Sequence, residues 1–226
     1  MISSSDLSSP DADRLETLTA FSVSRETSDR LTILVQELRR WQAVKNLVGA
    51  GTLANVWTRH IADSLQLIRH APDARHWLDL GSGAGFPGIV LGILLRERGE
   101  GHIDLVESNG RKCTFLRHAI RATGASAAVH QGRIADILPI LGGAPVDAVT
   151  ARALAPLAEL LDMTKDLLRN GATGVFPKGQ DWESELTEAR KYWRITVDAL
   201  PSLVDSRGRI LVVRELQEVD GGHGRR

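Results

Sequence analysis

The sequence predicts an α/β fold in which a mainly parallel sheet carries helices on both faces and is preceded by a helical extension. Three observations carry this. After Pro72 short apolar runs alternate with amphipathic stretches, the βαβ pattern of a parallel sheet. Before Pro72 the apolar residues recur at helical spacing instead. Between Trp77 and Gly88 an apolar run ends in glycines and passes straight into a helical pattern, the strand-turn-helix that presents backbone N–H groups to a ligand at a sheet edge.

The elements follow in chain order. Residues 1–13 are rich in Ser and Asp and offer little apolar surface to offset their ordering entropy, so they read as a flexible leader. Residues 14–72 form the extension. In it Leu31, Leu34, Val35, Leu38 and Trp41 make one helical stripe, capped by Ser24 or Thr27, and Trp57, Ile61, Leu65 and Ile68 make a second that ends before Pro72. Residues 73–217 form the core. Its strands are expected at His76 to Leu80, Ile103 to Val106, Ala127 to His130, Val146 to Thr150, Gly174 to Phe176, Arg194 to Ala199 and Arg209 to Arg214. Helices are expected at Pro87 to Arg98, Arg111 to Thr123, Pro156 to Arg169 and Trp182 to Lys191, and residues 218–226 read as a flexible tail.

Composition narrows the function. With 226 residues, 42% hydrophobic and 25% charged, the chain is an ordinary globular protein rather than a disordered or collagen-like one. Its 28 Lys plus Arg balance 28 Asp plus Glu, so any affinity for nucleic acid must come from a local patch. The single cysteine, Cys113, allows no internal disulfide and no cysteine cluster for zinc, and it reads as a small buried hydrophobe; no metal is expected. No apolar run approaches the roughly 20 residues of a membrane helix and no secretory core opens the chain, so a cytoplasmic protein without a membrane is the expectation.

The glycine turn admits two frames. Gly83-x-Gly85-x-x-Gly88 reads as a dinucleotide fingerprint, which would suit an NAD-dependent oxidoreductase, whereas Asp79-x-Gly81-x-Gly83-x-Gly85 starts its glycines where the strand ends and resembles the turn of S-adenosylmethionine methyltransferases. The second frame leaves no residues unexplained. Asp79 at the strand tip would anchor the turn or meet the cofactor's ammonium through water. Glu107 closes the next strand, where a carboxylate accepts hydrogen bonds from both hydroxyls of a ribose; the alternative role is to cap the helix ahead of Arg111.

Several separated motifs then combine: Arg59-His60-Ile61-x-Asp63-Ser64, Gly81-Ser82-Gly83-Ala84-Gly85-Phe86-Pro87-Gly88, Val106-Glu107-Ser108 with Lys112, Arg152-Ala153 and Lys178-Gly179. From about Trp41 to Arg214 the chain resembles the bacterial 16S ribosomal RNA guanine-N7 methyltransferases, the glucose-inhibited division protein B family. The resemblance implies a class I, Rossmann-like S-adenosylmethionine-dependent methyltransferase that modifies N7 of a guanine in 16S rRNA, within the small ribosomal subunit or its precursor, as a monomer. It implies cofactor contacts at Gly81, Phe86, Ile134, Ala135 and Arg152, with Asp79, Gly83, Gly85 and Glu107 as further candidates. The chain departs from the family pattern at Ala135, where an acidic residue is common, and around Lys45-Asn46-Leu47-Val48-Gly49.

Guanine N7 already carries an in-plane lone pair, so methylation there demands alignment rather than a general base, and no catalytic residue is assigned. Arg59, His60, Arg117, Arg121 and Lys178 are the RNA-contact candidates. Arg59, His60 and Asp63 share one helical turn, where Asp63 would hold one tautomer of His60. Arg111, Lys112, Arg117 and Arg121 form one basic group, and Arg39, Arg40, Lys45, Arg59 and Arg69 another. A noncatalytic ribosome-assembly factor that kept the fold is the remaining alternative.

Overall fold

The computed structural model describes residues 10–45, 47, 53, 55–141 and 145–219. The expected leader divides at Pro10: residues 1–9 lie outside the described residues, while Pro10 to Asp13 begin helix α1 (Pro10–Phe21). Ser24 caps α2 (Arg25–Lys45), accepting the Thr27 N–H at 3.1 Å. The second stripe is helical but changes pitch, from a π-helical segment Trp57–Ala62 through α3 (Asp63–Leu65) to a 3-10 segment Gln66–His70.

Five parallel strands follow, β1 (His76–Leu80), β2 (His102–Glu107), β3 (Ala127–Gln131), β4 (Ala148–Ala151) and β5 (Thr173–Lys178). Helices α4 (Gly88–Arg98), α5 (Gly110–Thr123), α6 (Ile134–Leu141) and α7 (Leu157–Arg169) connect them. After α8 (Trp182–Ala189) come β6 (Trp193–Pro201) and β7 (Arg209–Glu218), an antiparallel pair that adds β7 against β5. The order β3-β2-β1-β4-β5-β7-β6 reverses direction between β1 and β4, and open α/β sheets bind ligands in the crevice at that switch.

Alternation along the strands divides the interior. Trp77, Ile103, Leu105, Ala148, Val175, Ile210 and Val212 face α2, α4 and α5 in a cluster that also takes in Leu31, Leu34, Leu38 and Ile61, so the helical extension is packed into the same core as the sheet. Leu78, Leu80, Val106, Val149, Phe176, Leu211 and Val213 face α7 and α8 on the other side.

The π segment has no side-chain cap of its own at Val56. Asp13, reaching across from α1, supplies it: the carboxylate accepts the Trp57 N–H at 3.1 Å, the Thr58 N–H at 3.2 Å and the Thr58 hydroxyl. Asp13→Ala should therefore cost about 1–2 kcal/mol, the scale of a lost N-cap. Urea unfolding checks this, and an unchanged midpoint would show that α1 contributes nothing to the fold.

Candidate active site

The turn after β1 is built from what glycine permits. Gly81, Gly83 and Gly85 have φ of +68°, +56° and +90°, the left-handed region where a Cβ is strained. The N–H groups of Gly81 and Ser82 both donate to the Val106 carbonyl, at 2.9 and 3.1 Å, which seats the turn on the end of β2. A Cβ on Gly81 would lie 2.7 Å from Leu154 Cδ1, and one on Gly88 would lie 2.5 Å from Asp79 Oδ2.

Asp79 is fully buried beneath this turn. Its Oδ2 accepts the Gly88 N–H at 3.1 Å, and Oδ1 has no partner among the described residues. Burial pushes its carboxyl up to about 7 against the opposing pull of its hydrogen bonds. Thr150, its register partner on β4, likewise has a buried hydroxyl without a partner among the described residues.

Glu107 braces the glycine turn and the start of α5 without capping that helix itself. Its Oε2 accepts the Gly83 N–H at 2.9 Å and its Oε1 the Asn109 N–H at 2.7 Å, while Asn109 caps α5 by accepting the N–H groups of Arg111 and Lys112. Each carboxylate oxygen has two lone pairs, so both keep acceptor capacity for a ligand. Glu107 lines a cleft of about 780 Å³ together with Gly81, Ile134, Ala135 and Met163. Cys113 is buried behind it, its thiol donating to the Glu107 carbonyl and its pKa raised by burial.

A second cleft of about 900 Å³ adjoins the first, and Gly81, Ala153 and Leu154 line both. Its organiser is Arg152, which directly follows β4. The guanidinium donates to the Arg59 carbonyl at 3.0 Å, to Asp63 Oδ2 at 3.1 Å and to His60 Nδ1 at 2.8 Å, and it lies 5.6 Å over the Phe86 ring. His60 stacks on Phe86 with centroids 4.9 Å apart. A guanidinium only donates, so His60 Nδ1 accepts and the proton sits on Nε2, which is buried without a partner among the described residues. Burial first, then the charges of Arg152 and Arg59, bring the imidazole pKa down to about 4, so His60 is neutral.

One expectation is corrected here, and a second residue proves to have partners within the chain. Asp63 does not touch His60: its Oδ1 accepts Gln66 Nε2 at 2.9 Å and its Oδ2 takes Arg152, which intervenes. Lys178 lines the cleft, but its ammonium is held by Glu185 at 2.7 Å and the Ala155 carbonyl at 2.8 Å, with the side chain only 8% exposed. Glu185 also accepts the Leu157 N–H at 2.7 Å, so Lys178 braces the start of α7. Arg59 is exposed at the cleft, whereas Arg117 and Arg121 are exposed on α5, away from both clefts. Sequence reading missed Leu154, whose packing against Gly81 enforces the glycine, and gave no role to Ala153, held at φ +53° where the clefts meet.

The family model described as rRNA small subunit methyltransferase G, GidB, matches residues 27–211. The chain belongs to this family. Among curated relatives, the ribosomal RNA small subunit methyltransferase G of Methylobacterium radiotolerans is 54% identical over 206 residues, covering 91% of this chain and 96% of that protein. That of Hyphomonas neptunium is 48% identical over 204 residues, covering 90% and 95%. Among solved structures, cofactor-bound Rv0187 from MTB aligns with a TM-score of 0.61 at 17% identity over 91% of this chain and 96% of that one. An O-methyltransferase from Bacillus cereus in complex with SAH aligns at 0.56 and 16% identity, over 80% and 90%. The fold is therefore the class I methyltransferase fold that the sequence predicts, and the GidB match rules out the NAD-dependent oxidoreductase frame. Gly88, the last glycine of that frame, is required instead by Asp79.

Two outcomes follow. Gly81→Val, which meets both a positive φ and Leu154, should abolish S-adenosylhomocysteine binding in calorimetry while far-ultraviolet circular dichroism is kept; undiminished affinity would remove Gly81 from the site. His60 should titrate near pH 4 by NMR. Because the unfolded ring protonates at its ordinary 6.5 and the buried one does not, His60 costs stability as pH falls from 6.5 towards 4 and nothing above that window. A midpoint at the ordinary value would overturn the buried, Arg152-paired geometry.

Proposed function

We propose that this S-adenosylmethionine-dependent ribosomal RNA methyltransferase places its methyl group on N7 of one guanine of 16S rRNA in the small ribosomal subunit, acting as a monomer. The observation that carries the reading is the meeting of two clefts at Gly81, Ala153 and Leu154, one walled by Glu107 and the other by the Arg152, His60 and Phe86 cluster.

The residues fit the cofactor. The turn at Gly81, Gly83 and Gly85 leaves a cradle that a Cβ at Gly81 would obstruct, Glu107 keeps free lone pairs for vicinal ribose hydroxyls, and Ile134 and Ala135 supply the flat apolar wall an adenine needs. Three buried polar side-chain atoms without partners among the described residues, His60 Nε2, Asp79 Oδ1 and Thr150 Oγ1, belong to residues grouped about this turn. When bound, S-adenosylmethionine supplies an electrophilic methyl group on its sulfonium.

What the chain's own residues supply is position. The stacked rings of His60 and Phe86, with Arg152 over them, form a flat cationic wall of the kind on which unstacked bases are held. His60 is neutral and its Nδ1 lone pair is already taken by Arg152, which suits a reaction that removes no proton from its nucleophile. Alignment alone then lowers the barrier, since bound reactants avoid the entropy of encounter.

RNA would extend from the clefts over the basic helices α2 and α5. Helices α2 and α5 pack together through Trp41 on Phe115 and His118, and Glu37 on His118, so Arg39 and Arg40 of α2 border the same seam as Arg117 and Arg121 of α5. The test is mass mapping of methylated guanosines in small-subunit RNA incubated with the enzyme and S-adenosylmethionine. One N7-methylguanosine is expected; a modification elsewhere, or none, would overturn the assignment in favour of another target or a noncatalytic role. Arg117→Ala with Arg121→Ala should keep S-adenosylhomocysteine affinity, weaken RNA binding and flatten its salt dependence by about two counterions. An unchanged salt slope would assign that helix to solvent.

A further inference from the structure

We propose that His76, His102 and Asp104 form a binding site for one divalent transition-metal ion of the zinc class at the amino ends of β1 and β2, the far end of the sheet from both clefts. The parallel register sets His76 beside His102, and their rings stack with centroids 4.3 Å apart and 22° between planes. Both Nε2 atoms address the same oxygen: Asp104 Oδ2 lies 2.8 Å from His76 and 3.4 Å from His102, and the three donor atoms lie within 4.8 Å of one another. The other oxygen, Oδ1, receives His130 Nε2 from β3 at 2.7 Å. Three imidazoles on three adjacent strands therefore surround one buried carboxylate, and no Lys or Arg pairs with it among the described residues.

The deciding feature is His76. Its Nδ1 lies 2.9 Å from the Pro145 carbonyl oxygen, which only accepts, so Nδ1 carries a proton. In the neutral ring Nε2 then bears a lone pair, and that lone pair faces the Asp104 carboxylate at 2.8 Å. Two acceptors at this separation need either a proton or a metal ion between them. A histidine whose far nitrogen donates to a backbone carbonyl while the near one points at a carboxylate and a second histidine is held as metal-ligating histidines are held, and His130 orients the carboxylate through its other oxygen.

Ligand chemistry selects the ion. Two imidazole nitrogens and one carboxylate oxygen suit Zn²⁺ and its neighbours rather than Mg²⁺ or Ca²⁺, which take oxygen shells. Bond lengths near 2.0–2.1 Å place tetrahedral ligand atoms roughly 3.3 Å apart. The 3.4 Å of His102 matches that value, and His76 at 2.8 Å lies inside it, so the carboxylate has to draw back from His76 as the ion enters. His102, half-exposed at the first position of β2, can rotate to close the remaining gap and opens a path for the ion, leaving a fourth position to water. Such an ion would clamp β1, β2 and the segment before β4 together, remote from methyl transfer.

The test uses the full chain, stripped with chelator and titrated with ZnCl₂ by calorimetry at pH 7.5, and separately with CoCl₂ by visible absorption. One equivalent of Zn²⁺ should bind, and Co²⁺ should give the d–d bands of a low-coordinate nitrogen and oxygen site. His102→Ala, at the exposed ligand, should keep the fold and S-adenosylhomocysteine affinity but weaken Zn²⁺ by at least about tenfold, as losing a ligand or its support does. His118→Ala, on α5 and bonded to Glu37, should bind like the parent. No saturable binding would mean that a proton alone bridges His76 and Asp104, and undiminished binding by His102→Ala would mean adventitious metal only; either result overturns the proposal.

Discussion

The contact between the buried Asp79 carboxylate and the backbone of Gly88 sets the geometry on which the site depends. The carboxylate sits under the turn, accepts the first N–H of α4, and leaves no room for a Cβ at residue 88. That fixes how far α4 stands from the tip of β1, and the intervening chain must close the gap through Gly81, Gly83 and Gly85 at positive φ. The arrangement is costly. Burial holds the Asp79 pKa near 7, so ionising it at neutral pH works against the fold, and the unpartnered Oδ1 adds an unmet hydrogen bond. A buried, strongly perturbed carboxyl at a sheet's switch point is the kind of group that marks functional sites.

Glu107 and Arg152 extend this constraint in opposite directions along the switch point. Glu107 ties the turn after β1 to the cap of α5, so this side of the switch point is braced before anything binds. Arg152 ties the end of β4 to Arg59, His60 and Asp63 in the segment that changes from π to α pitch. The helical extension thus reaches the site as a wall, through the same buried cluster that carries Leu31, Trp77 and Ile89. Asp13 fixes the start of that wall from α1, which connects residues near the chain start to the position of His60.

Much of this was legible in the sequence, because the strands, the glycine turn and Glu107 are written in local patterns of alternation and spacing. What was not legible is long-range or locally ambiguous. Helix α6 was not anticipated: it carries Pro139 inside it and buries none of its residues, so Ile134 and Ala135 were placed only by resemblance. Helix α1 opens among Ser and Asp residues whose anchoring partner lies at Trp57 and Thr58. Asp63 and His60, one turn apart, looked like a pair, but Arg152 from a distant strand end stands between them. Lys178 looked exposed because its partner Glu185 is on the following helix and its role concerns α7.

The order of these dependencies fits the proposed transfer to a ready lone pair, for which no general base is required. Four charged groups at the clefts are already committed to holding backbone: Glu107 to Gly83 and Asn109, Lys178 and Glu185 to the entrance of α7, Arg152 to the Arg59 carbonyl. Their energy goes into fixing positions before the reactants arrive, which is where a transfer between a ready lone pair and a ready electrophile has most to gain. Three buried side-chain atoms are left without partners among the described residues: His60 Nε2–H, a donor, Asp79 Oδ1 and the Thr150 hydroxyl. A preorganised frame with a few unmet polar atoms at its centre discriminates by what satisfies them, so specificity and rate draw on the same buried geometry.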